Sequence, residues 1–217
     1  MTLPFANRAE AGRLLGRRLQ AECLTGPLVV VALPRGGVPV AAEVARCLGA
    51  PLDLLIVRKI GAPWQRELAV AAVVDGTPPE LVINEEISAA VGADPAYIER
   101  EATVERREIE RRRETYLRGR APLAMAGKTA ILVDDGVATG TTVRAALMAL
   151  RRRGATKVLL AIPVAPHEAV IALRACCDRI VCLAEPEPFH AVGAHYVDFR
   201  QLEDAEVIAA FGAEPQE

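Results

Sequence analysis

The stretch "ILVDDGVATGTT" sets two carboxylates, Asp134 and Asp135, side by side at the end of an apolar run and follows them with a small, glycine-broken, hydroxyl-rich loop. Side chains alternate along a strand, so consecutive carboxylates at its end leave in different directions. Ionised carboxylates only accept hydrogen bonds, and a cluster of them asks for donors: the hydroxyls of a sugar, or a cation. The next residues are Gly136, Val137, Ala138, Thr139, Gly140, Thr141 and Thr142, leading into a helix. Their glycines permit tight turns, and exposed N–H groups at a helix start make an anion cradle. Three threonine hydroxyls add donors. Diol acceptors and a phosphate cradle within one loop fit a phosphorylated sugar, and ribose 5-phosphate matches that spacing. A plain capped turn would explain the glycines and threonines but not the acidic pair. The loop lacks the lysine of GxxxxGK[ST] and is not GxGxxG, which excludes two other phosphate motifs.

Two further segments carry suitable groups. In "LPRGGV", Gly36 and Gly37 let the backbone approach a ligand and Arg35 is a fixed cation suited to phosphate, although an ordinary type II turn uses the same residues. "VRKIGAP" brings Arg58 and Lys59 to the end of another strand, where the alternative is a solvated strand end. Lysine occurs elsewhere only at Lys128 and Lys157. Residues 61–67 could form a mobile loop closing over a site. Trp64, the only tryptophan, is then either a lid residue or a packed surface residue.

The elements that must position these groups follow from periodicity. Residues 7–23 read as an amphipathic helix, with Ala11, Leu14, Leu15 and Leu19 on one side. After it, strands "LVVVA", "LDLLIVRK", "AILVDD", "KVLLAIPVA" and "RIVCLAEP" alternate with helices "VAAEVARCLG", "TVRAALMALRRRG" and "PHEAVIALRACC". Continuously apolar strands suit burial on both faces, and the alternation predicts a doubly wound, mainly parallel α/β sheet. Ligands then sit beyond the carboxyl ends of the strands, where all the segments above fall.

The pattern is interrupted over about 61–127. "ELAVAAVVDGTPPELVI" suggests two short strands around a turn, and Asp94 with Pro95 starts a long charged helix running to about residue 117. Ile98, Ala102, Ile109 and Tyr116 make its thin apolar stripe, broken by Glu105 and Arg112. Glu108/Arg112 and Glu110/Arg113 stand at helical pairing distances, which predicts a solvated ion-paired face rather than an RNA-binding one.

With 217 residues, 52% of them apolar, the chain can bury one full α/β core; we expect a single domain over 1–217, with a core at about 25–185 and a C-terminal "hood" at about 186–204. Lys+Arg 26 against Asp+Glu 28 gives a net charge of −2, too small to recruit nucleic acid or an anionic membrane. The five cysteines form no CxxC pair and no zinc spacing with histidine, so reduced thiols are expected. No stretch reaches the ~20 apolar residues of a membrane span and the N-terminus lacks a signal-peptide core, which points to a cytoplasmic protein.

"ILVDDGVATGTT" closely resembles the phosphoribosyl pyrophosphate (PRPP) signature of the type I phosphoribosyltransferases, and "LPRGGV", "VRKIGAP" and "AVGAHYVDF" resemble segments of a bacterial branch of that family. The resemblance spans roughly residues 25–200. It implies that Asp134 and Asp135 bind the ribose hydroxyls, that residues 137–142 wrap the 5-phosphate, and that 34–37 form the pyrophosphate loop, with a cis peptide between Pro34 and Arg35. It implies Mg²⁺ as cofactor and a nitrogen nucleophile, a nucleobase, as acceptor. Arg58 and Lys59 match an Arg-Lys pair of several members, but Ala62 stands where those carry a further lysine. The hood supplies Phe189, Val192 and Tyr196 as acceptor-contact candidates, or as packing of the chain end, and Asp198 as a candidate metal ligand; its spacing is one residue longer than in the hypoxanthine-type members. A homodimer is the default assembly. The competing reading is a regulator that senses PRPP at the same site and catalyses nothing.

Overall fold

The structure, a computed structural model, describes residues 3–76 and 78–212, the side chain of Glu67 excepted. Helix α1 (Arg8–Gln20) is started by Asn7, whose side chain accepts from the Glu10 N–H at 2.9 Å. Strand β1 (Leu28–Ala32), helix α2 (Gly37–Leu48) and strand β2 (Leu52–Leu54) follow; Gly49, at φ 59°, ends α2 in the left-handed conformation that favours glycine. Then come β3 (Val57–Ala62), β4 (Gln65–Val74), β5 (Glu80–Ile83), α3 (Glu85–Ala90) and α4 (Pro95–Leu117). The remainder is β6 (Thr129–Val133), α5 (Thr141–Arg152), β7 (Lys157–Val164), α6 (His167–Leu173), β8 (Arg179–Ala184) and α7 (Asp204–Gly212).

Strands β2-β1-β6-β7-β8, in that spatial order, form one all-parallel sheet. Alternate residues serve opposite faces. Val30, Ala32, Ile131, Val133, Leu159 and Ala161 pack with Leu15 and Leu19 of α1 and with Val38 and Val44 of α2. Val29, Val31, Ala130, Leu132, Val158 and Leu160 pack with Val143, Ala146, Leu147 and Leu150 of α5. Both faces are covered, which is why these strands are apolar without a polar alternation.

One strand boundary differs from the sequence reading. The run "LDLLIVRK" is not one strand: β2 ends at Leu54, Leu55 N–H still donates to the Ala32 carbonyl at 3.0 Å, and β3 belongs to a separate antiparallel sheet, β3-β4-β5. Leu55 joins one core face and Ile56 the other, so the apolar pattern runs unbroken across the change of sheet. Residues 61–67 are likewise the tip of the β3–β4 hairpin rather than a separate loop, with Gly61 opposite Ala69 and Ala62 opposite Gln65. Trp64 stands 91% exposed at this tip, so it is not a packed residue.

Helix α4 buries the stripe read from its sequence, Ile98, Ala102, Ile109 and Tyr116. The two charges that break the stripe have partners. Glu105 accepts from Arg58 Nε at 2.6 Å, and Arg112 donates to Glu108 at 2.7 Å. The expected Glu110/Arg113 pair is absent from the described ion pairs, because Arg113 reaches into the fold and donates to buried Asp75 at 2.8 Å. All five cysteines are free, and burial pushes the thiols of Cys177 and Cys182 up to about 11, away from reactivity. Among the described residues no helix is long and apolar enough to cross a membrane.

Candidate active site

From β1 the chain passes to one neighbour, β2, while β6 lies on the other side. The loops after β1 and β6 therefore diverge from adjacent carboxyl ends, the switch point at which such sheets open a crevice. Leu33 N–H donates to the Val133 carbonyl at 3.1 Å, tying the two loops together at their roots. The Pro34–Arg35 peptide is cis. Gly36 and Gly37 then pass directly against the acidic pair. A Cβ on Gly36 would lie 2.0 Å from Asp135 Oδ2, and one on Gly37 would lie 2.8 Å from the Val133 carbonyl and 2.9 Å from Asp134 Cα. Along the sequence the two glycines and the two aspartates are separate motifs; the fold makes them one surface.

Asp134 Oδ1 accepts from the Asp135 N–H at 2.9 Å, and Asp135 Oδ2 accepts from Arg8 Nε at 2.8 Å. Burial and the neighbouring Asp135 charge push the Asp134 carboxyl well above the usual carboxylate range. Burial also raises Asp135, with the Arg8 guanidinium working against the rise. The loop that follows is anchored by Val137 N–H on the Val164 carbonyl at 3.0 Å and reaches α5 through Gly140 at φ 77°. Ala138 and Thr139 are exposed, and Thr141 and Thr142 lie half-buried in the first turn of α5. Among the described residues, the N–H groups of Ala138, Thr139, Gly140, Thr141 and Thr142 find no acceptor. Five open donors at a helix start suit an anion.

The hood is built from both ends of the chain. Phe5 N–H donates to the His195 carbonyl at 2.9 Å, and Val197 and Asp198 N–H groups donate to the Phe5 and Ala6 carbonyls at 2.8 and 3.0 Å. This brings the start of α1, and with it Arg8, over the acidic pair. Tyr196 is buried against Phe5 and Phe199, and its hydroxyl donates to the Asp135 carbonyl at 2.5 Å. It props the loop and has no ring face open to a base, contrary to its candidacy as an acceptor contact. Val192 sits against Gly136, and half-buried Phe189 lies 5.1 Å from the His195 ring. His195 Nε2 is buried without a hydrogen-bond partner among the described residues, and burial lowers that imidazole's pKa.

Other candidates fall elsewhere. Arg58 and Lys59 lie inside β3, opposite Val73 and Ala72, and Arg58 is taken by Glu105; neither ends a strand of the parallel sheet. Asp198 is exposed, with Oδ1 accepting from Arg200 N–H at 3.4 Å, and no cluster of three metal-ligating side chains occurs among the described residues. The residue that sequence reasoning does not reach is Arg8. Nothing local marks it, since its partner lies 127 residues away.

Fold and site together define a doubly wound α/β protein whose acidic pair, paired glycines and open amide loop meet at the switch point. Residues 7–199 match the family model described as the phosphoribosyl transferase domain, and the chain belongs to that family. Two Mycobacterium tuberculosis proteins, each named provisionally as a phosphoribosyl transferase, are 45% identical over 208 residues, covering 94% of this chain and 46% of theirs. The chain therefore spans about half the length of these curated relatives. The crystal structure of TT1426 from Thermus thermophilus is 44% identical and superposes with a TM-score of 0.84, over 96% of this chain and 98% of that one.

Proposed function

We propose that the protein transfers the 5-phosphoribosyl group of PRPP to a nitrogen nucleophile, a nucleobase, and releases pyrophosphate. The observation that carries this reading is the meeting of Asp134 and Asp135 with five open N–H groups on one side and the Gly36–Gly37 backbone on the other. The acidic pair would accept from the ribose 2′- and 3′-hydroxyls, residues 137–142 would hold the 5-phosphate, and Arg35 would face the leaving pyrophosphate. At C1 the bond to pyrophosphate oxygen breaks with its electron pair, and the acceptor nitrogen supplies the pair for the new bond. The protein's task is to position the reactants, neutralise charge and exclude water.

Phe189, beside the His195 ring, and Val192, beside Gly136, are the hood residues proposed to meet the acceptor. Mg²⁺ suits the hard carboxylate oxygens of Asp134 and Asp135, since such a cation is commonly held by one or two carboxylates together with substrate oxygens. Bound there, it would supply charge neutralisation of the leaving group.

The test is pyrophosphate release from PRPP with Mg²⁺ against a panel of purines, pyrimidines, nicotinate and ammonia, with the Asp134→Asn/Asp135→Asn double variant as control. Acceptor-dependent release that the control abolishes is expected. PRPP binding without release by any acceptor would identify a sensor instead, and no PRPP binding would sink both.

A further inference from the structure

The Arg35 side chain makes no hydrogen bond among the described residues. Its charge partner is Asp204, in the first turn of α7, at 3.8 Å from Nη1 to Oδ1, too long for a hydrogen bond. Among the described residues its guanidinium donors are therefore open. Asp204 is pinned from the other side, where the hydroxyl of buried Tyr116 donates to the same oxygen at 2.6 Å. Its second oxygen, Oδ2, faces Arg111 Nη1 at 3.9 Å. Glu108 takes Nε and Nη2 of Arg111 at 2.9 Å each, which aims the guanidinium and leaves Nη1 without a hydrogen bond among the described residues.

Two guanidiniums thus flank one carboxylate, in the loop-side neighbourhood of the crevice. The first turn of α7 is linked to the acidic pair through Glu206, Arg200 and Arg8: Arg200 Nη1 donates to Glu206 at 2.8 Å, Arg8 Nη1 donates to the Arg200 carbonyl at 3.0 Å, and Arg8 Nε donates to Asp135 at 2.8 Å. Among the described ion pairs, Arg35, Arg111 and Arg112 stand against only Asp204 and Glu108, so the cluster is left positive. A diphosphate carries several negative charges and many acceptor oxygens, and the planar guanidinium fork matches them.

We propose that Arg111 of α4 is a second arginine of the diphosphate subsite, kept beside Arg35 in the ligand-free protein by their shared contact with Asp204. This rests on the reading that the crevice takes PRPP. It gives the inserted helix, which the sequence alone presents as a solvated ion-paired face, a direct part in substrate binding.

The experiment is calorimetry on the full chain with two probes, pyrophosphate with Mg²⁺ and ribose 5-phosphate. Arg111→Gln is expected to weaken pyrophosphate binding about tenfold, the loss of one charge-assisted contact, and to leave ribose 5-phosphate within about twofold. Exposed Arg107→Gln, on the same helix, controls for the loss of a surface charge and is expected to leave both affinities within about twofold. Unchanged pyrophosphate affinity in Arg111→Gln overturns the proposal, as does an equal loss for both probes or an equal loss in Arg107→Gln. Wild-type protein that binds neither probe overturns the PRPP reading and this proposal with it, whereas a wild type that binds both isolates the failure to Arg111.

Discussion

Arg8 Nε meets Asp135 Oδ2 at 2.8 Å, with the two side chains only 10% and 13% exposed. The same guanidinium lies 4.0 Å from the centre of the Phe199 ring and donates to the Arg200 carbonyl. The first residue of the first helix thereby locks the C-terminal hood onto the acidic pair, and one cation serves packing, hood closure and charge balance together.

Arg8→Gln removes the cation from a nearly buried carboxylate. Breaking such a pair from one side costs about 3 kcal/mol, chiefly because the remaining charge stays desolvated. Urea unfolding should show a loss of that order, with Asp135 more readily protonated. A loss below about 0.5 kcal/mol would mean that water replaces the arginine without penalty.

The acidic pair predicts a proton linkage. Both carboxyls are raised in the folded protein, Asp134 most, so between the unfolded and folded pKa values the folded state holds more protons. The pair's contribution to stability therefore falls as pH rises through that window. Sugar hydroxyls donate to ionised carboxylates, so ribose 5-phosphate should release a proton on binding and bind more tightly as pH rises, until Asp134 is ionised in the free protein. Calorimetry in buffers of different ionisation enthalpy reads this directly. Heats independent of buffer, once the probe's own phosphate ionisation is subtracted, with a pH-flat affinity, would mean that the pair does not change ionisation on binding.

Gly36→Ala tests the close approach of the two loops. Gly36 has φ −59° and ψ −37°, which any residue adopts, so backbone strain is not at issue. The new methyl would lie 2.0 Å from Asp135 Oδ2 and must displace it. We expect a stability loss of about 1–3 kcal/mol, as for overpacking elsewhere. Pyrophosphate release should fall about 100-fold or more, as for a reactant displaced by an ångström. Undiminished release would show that the Asp135 carboxylate does not need its present place.

Asp75 tests how the insertion is fastened to the core. It is 2% exposed, accepts from Arg113 of α4 at 2.8 Å, and its carbonyl accepts from Arg153 at the end of α5. Asp75→Ala leaves Arg113 facing a desolvated gap, while Arg153 keeps its bond to the backbone carbonyl but loses the nearby charge, and it should cost about 3 kcal/mol in thermal or urea unfolding. A near-neutral result would mean that the arginines turn out to solvent.

Local pattern alone determined the alternating strands and helices, the starts of α1 and α4, the buried stripe of α4 and the acidic pair with its amide loop. Each depends on residues within a few positions of one another: apolar period, caps, glycines, and consecutive charges at a strand end. Tertiary structure decided what no window of sequence contains. It divided "LDLLIVRK" between two sheets, because apolar pattern is blind to which neighbour a strand pairs with, and so moved Arg58 and Lys59 into β3. It turned Tyr196 inward as a prop, brought Arg8 to Asp135 across 127 residues, and set Arg35 and Arg111 on one carboxylate. Contacts of that kind are made when separate elements pack, and their energy depends on the desolvated geometry that packing creates rather than on the residues' order along the chain.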